Sequence, residues 1–279
     1  MQIIDGKKIS IKILEDLKNK VAALDFKPMF CDILVGNDLA SLKYVNLKKR
    51  KAKELGIEFY DANFSNNITT EELINQVEQI NNLENMCGII IQLPLPLHIN
   101  TKKVLDIIDP SLDVDCLGEK TSNNFYNGNL SIVPPTALAC MYLLDALSLN
   151  LKNKNIVVFG EGKLVGKPVM NLLKYRNLDF KSINSNTENK EKILRNADVI
   201  ISGVGKGKIV SSDNVKEGVI IIDAGTSEED SVLVGDVDFD SVSGKASFIT
   251  PVPGGVGPLT VAMLFTNVLK VAYNKKKHG

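Results

Sequence analysis

Apolar residues along the chain fall into short continuous runs separated by stretches in which they recur at helical spacing. In the first half, residues 30–35, 57–64 and 87–92 are strand-like runs. The stretch to Leu55 and the one after Thr70 carry a helical period instead. Strands alternating with helices predict βαβ units on a parallel sheet. Thr70 and Glu71 stand where a helix would use its N-cap and first turn. Residues 130–136, with Pro134-Pro135, interrupt the alternation and predict a linker. It restarts with runs at 155–159, 180–183, 198–202 and 219–223. Residues 259–273 are apolar at helical spacing after Pro258, a natural first helical position, and predict a last helix returning to the N-terminal part. The expected fold is α/β with two domains, residues 1–136 plus 259–279 and residues 137–258. The first is an α/β substrate and catalytic domain and the second is Rossmann-like.

The length of 279 residues supports that division, because a single core rarely grows so large. With 33 basic and 33 acidic residues the chain has no net field to gather nucleic acid or an anionic membrane, so its expected partners are small molecules. Residues 88–97 and 219–222 are too short to span a bilayer, and residues 1–8 lack the pattern of a secretory signal, so the cytosol is the expected compartment. Cys31, Cys87, Cys116 and Cys140 form no C-x-x-C pair, and the two histidines are His98 and His278, the latter in a basic tail expected to be mobile. This argues against a zinc site or a histidine triad.

Five segments carry candidate chemistry, each beside a plainer reading. Residues 156–168 run from a strand through Gly160-Glu161-Gly162 into a helix start. That is either a pyrophosphate cradle or an ordinary tight turn, and the third glycine of G-x-G-x-x-G is replaced by Val165. Tyr44 and Lys48, four apart, share a helix face and could reach into one pocket, yet with Lys43, Lys49, Lys51 and Lys53 around them a solvated face is the stronger reading from spacing alone. Gln92 closes a buried run before Leu93-Pro94-Leu95-Pro96, at a strand end where ligands bind in open α/β sheets, or is simply a satisfied strand-end amide. Asp113 and Asp115 are either turn-capping or functional. Residues 251–258, with three prolines and bare glycines, make a stiff loop for a flat ligand, or a hinge.

Together these segments resemble the bifunctional methylenetetrahydrofolate dehydrogenase/cyclohydrolase family. The resemblance spans residues 5–272 and is most specific at 36–48, 91–96, 113–115 and 251–260. It implies two reactions: oxidation of 5,10-methylenetetrahydrofolate by a nicotinamide dinucleotide, then hydrolysis of the methenyl product to 10-formyltetrahydrofolate. It also implies a cytosolic homodimer in one-carbon metabolism that needs no metal. The catalytic residues it implies are Lys48, Tyr44, Gln92 and Asp115. Lys48 would be hydrogen-bonded to Gln92 and would place or activate water, which as a base requires burial to lower its pKa. An ionised Asp115 would accept N–H bonds from the pterin. Pro253, Gly254 and Gly255 would line the folate site with Tyr44, and Gly160, Glu161, Gly162, Ser185 and Thr226 would contact the dinucleotide. The family pattern implies NADP. Glu161 and Asn186 stand where the family commonly carries arginines, which leaves NAD open as well. Rival expectations are a shikimate- or amino-acid-type dehydrogenase, and a folate-binding or cyclohydrolase-only protein with a decayed dehydrogenase half.

Overall fold

The computed structural model describes residues 1–229 and 232–278, the last two of these by backbone only. In chain order the elements begin β1 (Gln2–Ile3), α1 (Gly6–Ala22), β2 (Met29–Val35), α2 (Leu39–Leu55), β3 (Glu58–Phe64), α3 (Thr70–Asn81) and β4 (Met86–Ile91). Next come α4 (Thr101–Ile107), α5 (Glu119–Tyr126) and α6 (Pro135–Ala146). The second half runs β5 (Ile156–Phe159), α7 (Gly166–Tyr175), β6 (Phe180–Ile183), α8 (Lys190–Arg195), β7 (Val199–Ser202) and β8 (Ile220–Asp223). A hairpin of β9 (Ser227–Glu229) and β10 (Val232–Val234), then α9 (Phe239–Val242), β11 (Phe248–Ile249) and α10 (Val256–His278), complete the chain.

The chain divides into two compact units. One comprises Lys12–Pro135 and the residues from Leu264 onward; the other comprises Met1–Ile11 and Thr136–Met263. In the first, β2 lies at the centre of a parallel sheet of order β3-β2-β4. All six residues of β4 are buried, as are all of β2 after Met29. Asp38 caps α2 by accepting from Ser41 N at 2.8 Å, and Gly56 ends it in the left-handed conformation at φ 82°. Thr69, one residue before the expected cap, starts α3 in a capping box with Glu72, because its side chain reaches the Glu72 amide. The later part of α10 closes this core, with Phe265 edge-on to Phe30 at a centroid distance of 5.3 Å.

In the other unit, the described residues form a six-stranded, all-parallel sheet of order β1-β11-β8-β7-β5-β6. The strands β5, β7 and β8 are aliphatic and buried over their first three residues, as both-face coverage by helices requires. From β5 the chain moves outward to β6, then returns to β7 on the opposite side of β5. That reversal opens a crevice at the carboxyl ends of β5 and β7, where open α/β sheets bind ligands.

Three expectations change. The linker proposed for 130–136 ends in α6, whose first residue is Pro135, because a proline costs no hydrogen bond at a helix start. The final helix begins at Val256, two residues before Pro258, and continues to His278, so the tail expected to be mobile is helical; the side chains of Lys277 and His278 lie outside the described residues. Residues 256–276 are also long and apolar enough to cross a membrane, although the sequence runs offered no such segment; 61% of that window is buried inside the protein, as in a core helix.

Candidate active site

The buried positions of α2 are Ser41, Val45, Lys48, Ala52 and Leu55, a stripe at helical spacing that faces the sheet. Lys48 therefore stands in the apolar stripe, only 8% exposed, whereas Lys49 and Lys51 pair at the surface with Asp61 and Glu54. The lysine-rich helix is thus solvated on one face and carries a single buried cation on the other. Lys48 Nζ lies 2.7 Å from Asp32 Oδ2 and donates to Gln92 Oε1 at 2.9 Å. Gln92 Nε2 in turn donates to Leu93 O at 3.0 Å, which fixes the amide so that its oxygen faces the lysine. Tyr44, one turn earlier on α2, is 48% exposed and open to a ligand.

Asp32 is fully buried in the middle of β2, and beyond the ion pair neither of its oxygens has a hydrogen-bond partner among the described residues. Burial pushes its carboxyl above the ordinary range, and Lys48 pulls it back. An unpaired carboxylate here would cost more than the ~1.5–3 kcal/mol that a buried aliphatic side chain contributes, so Lys48 is what makes the position tolerable. Sequence reasoning passed over Asp32, although a charged residue inside Phe30-Cys31-Asp32-Ile33-Leu34-Val35 was a visible signal. The structure adds a feature to the expectation for Lys48: its burial comes with an anionic partner, Asp32.

The Asp113–Asp115 pair divides its labour. Asp113 is 1% exposed and accepts from Gly118 N at 2.8 Å and Leu117 N at 3.3 Å, so it builds the turn. Asp115 is half-buried, and burial pushes its carboxyl up to about 6, with Lys48 opposing and Asp113 and Asp32 reinforcing the rise. Ile89 bridges Asp113 in parallel register, setting this loop beside β4, whose end carries Gln92. Lys48, Gln92, Asp32 and Asp115 accordingly form one electrostatic group within one unit.

The other predicted residues lie along the carboxyl edge of the parallel sheet of the other unit. Gly160, Glu161 and Gly162 follow β5, Ser185 follows β6, Thr226 follows β8, and Pro253, Gly254 and Gly255 follow β11. Gly160 has φ 97°, and a side chain on it would meet Gly203 O at 2.7 Å. A Cβ on Gly166 would collide with the Gly160 carbonyl, so the close approach assigned to the third glycine of the fingerprint falls at 166 rather than 165. This bare backbone at the start of α7 suits a pyrophosphate. Glu161 accepts hydrogen bonds from the side chains of Ser182 and Asn184, which hold its carboxyl below the ordinary range. Its negative charge thus sits at the end of β6 even though that strand carries no acidic residue. Ser185 and Thr226 are exposed there.

Two further aspartates, also unpredicted, shape that edge. Asp236 is fully buried and accepts from Ser202 Oγ and from the amides of Val204, Gly205 and Lys206 at 2.6–2.9 Å. Asp223 accepts from the amides of Gly225, Asp236 and Val237, and its carboxyl is pushed up to about 7 by burial and by Asp236. The amide of Asp223 donates to Thr250 Oγ1 at 2.7 Å, tying β8 to the proline-glycine loop. In that loop Gly255 N donates to Pro251 O at 2.8 Å, and the Val252–Pro253 peptide is cis. A cavity of about 770 Å³ lined by Val21, Phe26, Lys27, Arg50 and Lys53 contains none of the predicted site residues.

A glycine cradle at the switch point of a parallel sheet, in a chain that also buries a charge-paired lysine among carboxylates, defines a two-domain α/β enzyme of the dinucleotide-binding class. Comparison with known proteins is more specific. The family model described as tetrahydrofolate dehydrogenase/cyclohydrolase, catalytic domain, matches residues 4–115, and that for the NAD(P)-binding domain matches residues 134–276. The bifunctional protein FolD of Nautilia profundicola is 42% identical over 281 residues, covering 99% of each chain. The crystal structure of the bifunctional FolD enzyme from Campylobacter jejuni superposes with a TM-score of 0.94 at 38% identity, covering 99% of both chains. That of the Trypanosoma brucei enzyme, complexed with NADP cofactor and inhibitor, gives 0.93 at 34%, covering 99% of this chain and 98% of the other. The chain belongs to the tetrahydrofolate dehydrogenase/cyclohydrolase family.

Proposed function

We propose that this protein is a bifunctional one-carbon folate enzyme that oxidises 5,10-methylenetetrahydrofolate to 5,10-methenyltetrahydrofolate and hydrolyses the product to 10-formyltetrahydrofolate. The observation that carries the reading is the buried Lys48, held by Gln92 and Asp32 within a chain of this family. NADP, when bound, takes up the hydride lost by the methylene carbon. The cradle at Gly160, Glu161 and Gly162 fits a dinucleotide, and the related Trypanosoma brucei structure holds NADP. Ser185 and Thr226 complete the dinucleotide contacts, and Glu161 bears on how well the 2′-phosphate is accepted.

Asp115, ionised, accepts N–H bonds from the pyrimidine edge of the pterin and orients the ring. Tyr44 offers an exposed ring to stack on the pterin or the aminobenzoate. Pro253, Gly254 and Gly255 are carried over from the family pattern as folate-binding residues. In the hydrolysis, a water oxygen bonds to the methenyl carbon and one of its protons leaves to solvent; the other passes to N5, which keeps the electron pair of the C–N5 bond as that bond opens and the formyl C=O forms on N10. The Lys48 ammonium, fixed by two acceptors, holds that water with its remaining hydrogen. The reading includes a cytoplasmic homodimer and requires no metal.

Purified protein given 5,10-methylenetetrahydrofolate with NADP or NAD tests the reading. Reduced dinucleotide should accumulate together with 10-formyltetrahydrofolate, and without lasting methenyl intermediate. Absence of reduction with either dinucleotide overturns it.

A further inference from the structure

We propose that Asp32 is a positioning residue for the hydrolytic reaction, fixing the Lys48 ammonium by an ion pair from within the sheet. The proposal rests on the role given to Lys48 above. Its basis is the placement of a carboxylate in the middle strand of the three-stranded sheet, fully buried, where among the described residues neither oxygen has any partner but Lys48 Nζ at 2.7 Å. The strand around it is otherwise apolar: Phe30, Cys31, Ile33, Leu34 and Val35 are all buried. A carboxylate is therefore unnecessary for packing, and an aliphatic residue would fill the position at no electrostatic cost.

What the carboxylate adds is geometry. A lysine head on four methylenes is loose unless its hydrogens are committed. Here Asp32 takes one ammonium hydrogen from the sheet side and Gln92 Oε1 takes a second at 2.9 Å, while Leu93 O holds the amide of Gln92 in place. The third hydrogen is left with a fixed direction. The charged groups facing Asp32 are Lys48 on α2 and Asp115 on the loop beside β4. Of these Lys48 is the cation, and among the described residues no second one pairs with Asp32.

Three measurements decide it. In the unaltered protein carrying ¹⁵N-labelled lysine, the Lys48 ammonium, assigned through its loss in Lys48→Gln, should give a resolved signal in slow exchange with water. An averaged, solvent-like signal overturns the proposal and needs no folded variant. Asp32→Asn keeps the size and removes the charge. Its kcat for hydrolysis of chemically prepared methenyltetrahydrofolate should fall roughly a hundredfold, as expected when a catalytic group is misplaced, with KM changed less than about threefold. A space-filling role would leave kcat in place, so an unchanged kcat in folded Asp32→Asn overturns the proposal alone, provided Lys48→Gln is inactive. Full hydrolysis by Lys48→Gln would overturn the reading of Lys48 and this proposal with it.

Discussion

Asp115 has its carboxyl pushed up to about 6, chiefly by burial, so the anion on which the proposed pterin contact depends is lost in mildly acid solution. Affinity for folate should accordingly weaken as pH falls through about 6, and Asp115→Asn should abolish that dependence while binding more weakly at pH 8. Calorimetric titration with a folate analogue from pH 5 to 8 checks both. Glu161 offers a second prediction. Its carboxylate is oriented by Ser182 and Asn184 at the strand end where a dinucleotide ribose would lie, so it repels a 2′-phosphate. Glu161→Ser should tighten NADP binding roughly tenfold, about 1.4 kcal/mol, and leave NAD within about threefold, as read by fluorescence titration. Sequence supplied Lys48, Gln92 and Asp115 through their motif. It could not separate Lys48 from its four lysine neighbours, because the phase of the helix relative to the sheet is a tertiary property. Asp32 was legible only as an anomaly, a charge in an apolar run whose partner lies sixteen residues away on α2.

At the scale of elements, α10 supplies the anchor of the Asp115 loop. Asn267 is fully buried, and its Nδ2 donates to Val114 O at 2.9 Å and to Val133 O at 2.8 Å. Asn267→Leu leaves both carbonyls buried without a donor, so stability should drop by about 2–4 kcal/mol in urea denaturation, and folate affinity should fall with it. The helical period of 259–273 made α10 visible, and the runs at 30–35 and 180–183 gave their strands nearly to the residue. Both β1 and β11 escaped notice because two residues carry no periodicity; they exist through pairing across the chain, Gln2 with Phe248 and Ile3 with Ile249. The start of α6 was hidden for a different reason, since a double proline marks a loop end and a helix start alike.

For the whole molecule, pH dependence follows from two opposed sets of carboxyls. Asp32, Asp113, Asp115 and Asp223 are raised by burial, the last two to about 6 and about 7 from an ordinary 3.8. Between those values the folded state binds more protons than the unfolded one, so their contribution is complete below about pH 4 and is lost as pH rises through 6 to 7. Asp38, Glu72, Asp106 and Asp198 are held low, so theirs is lost in acid. Thermal stability should peak on the acid side of neutrality and decline from pH 6 to 8. A melting temperature that climbs steadily over that range would contradict this. The strand-helix alternation that restarts at 155 falls within the unit of Met1–Ile11 and Thr136–Met263, whereas the pairing of Gln2–Ile3 with Phe248–Ile249 had no trace in the sequence.

The most direct test of the account compares hydrolysis of methenyltetrahydrofolate by the unaltered protein and by Lys48→Gln, an amide that can still donate to Asp32 and so spares the fold. The account predicts a loss of at least roughly a hundredfold in rate, with folate binding largely retained and thermal stability lowered by the loss of the buried ion pair. Hydrolysis at the unaltered rate in a folded, folate-binding Lys48→Gln would contradict it.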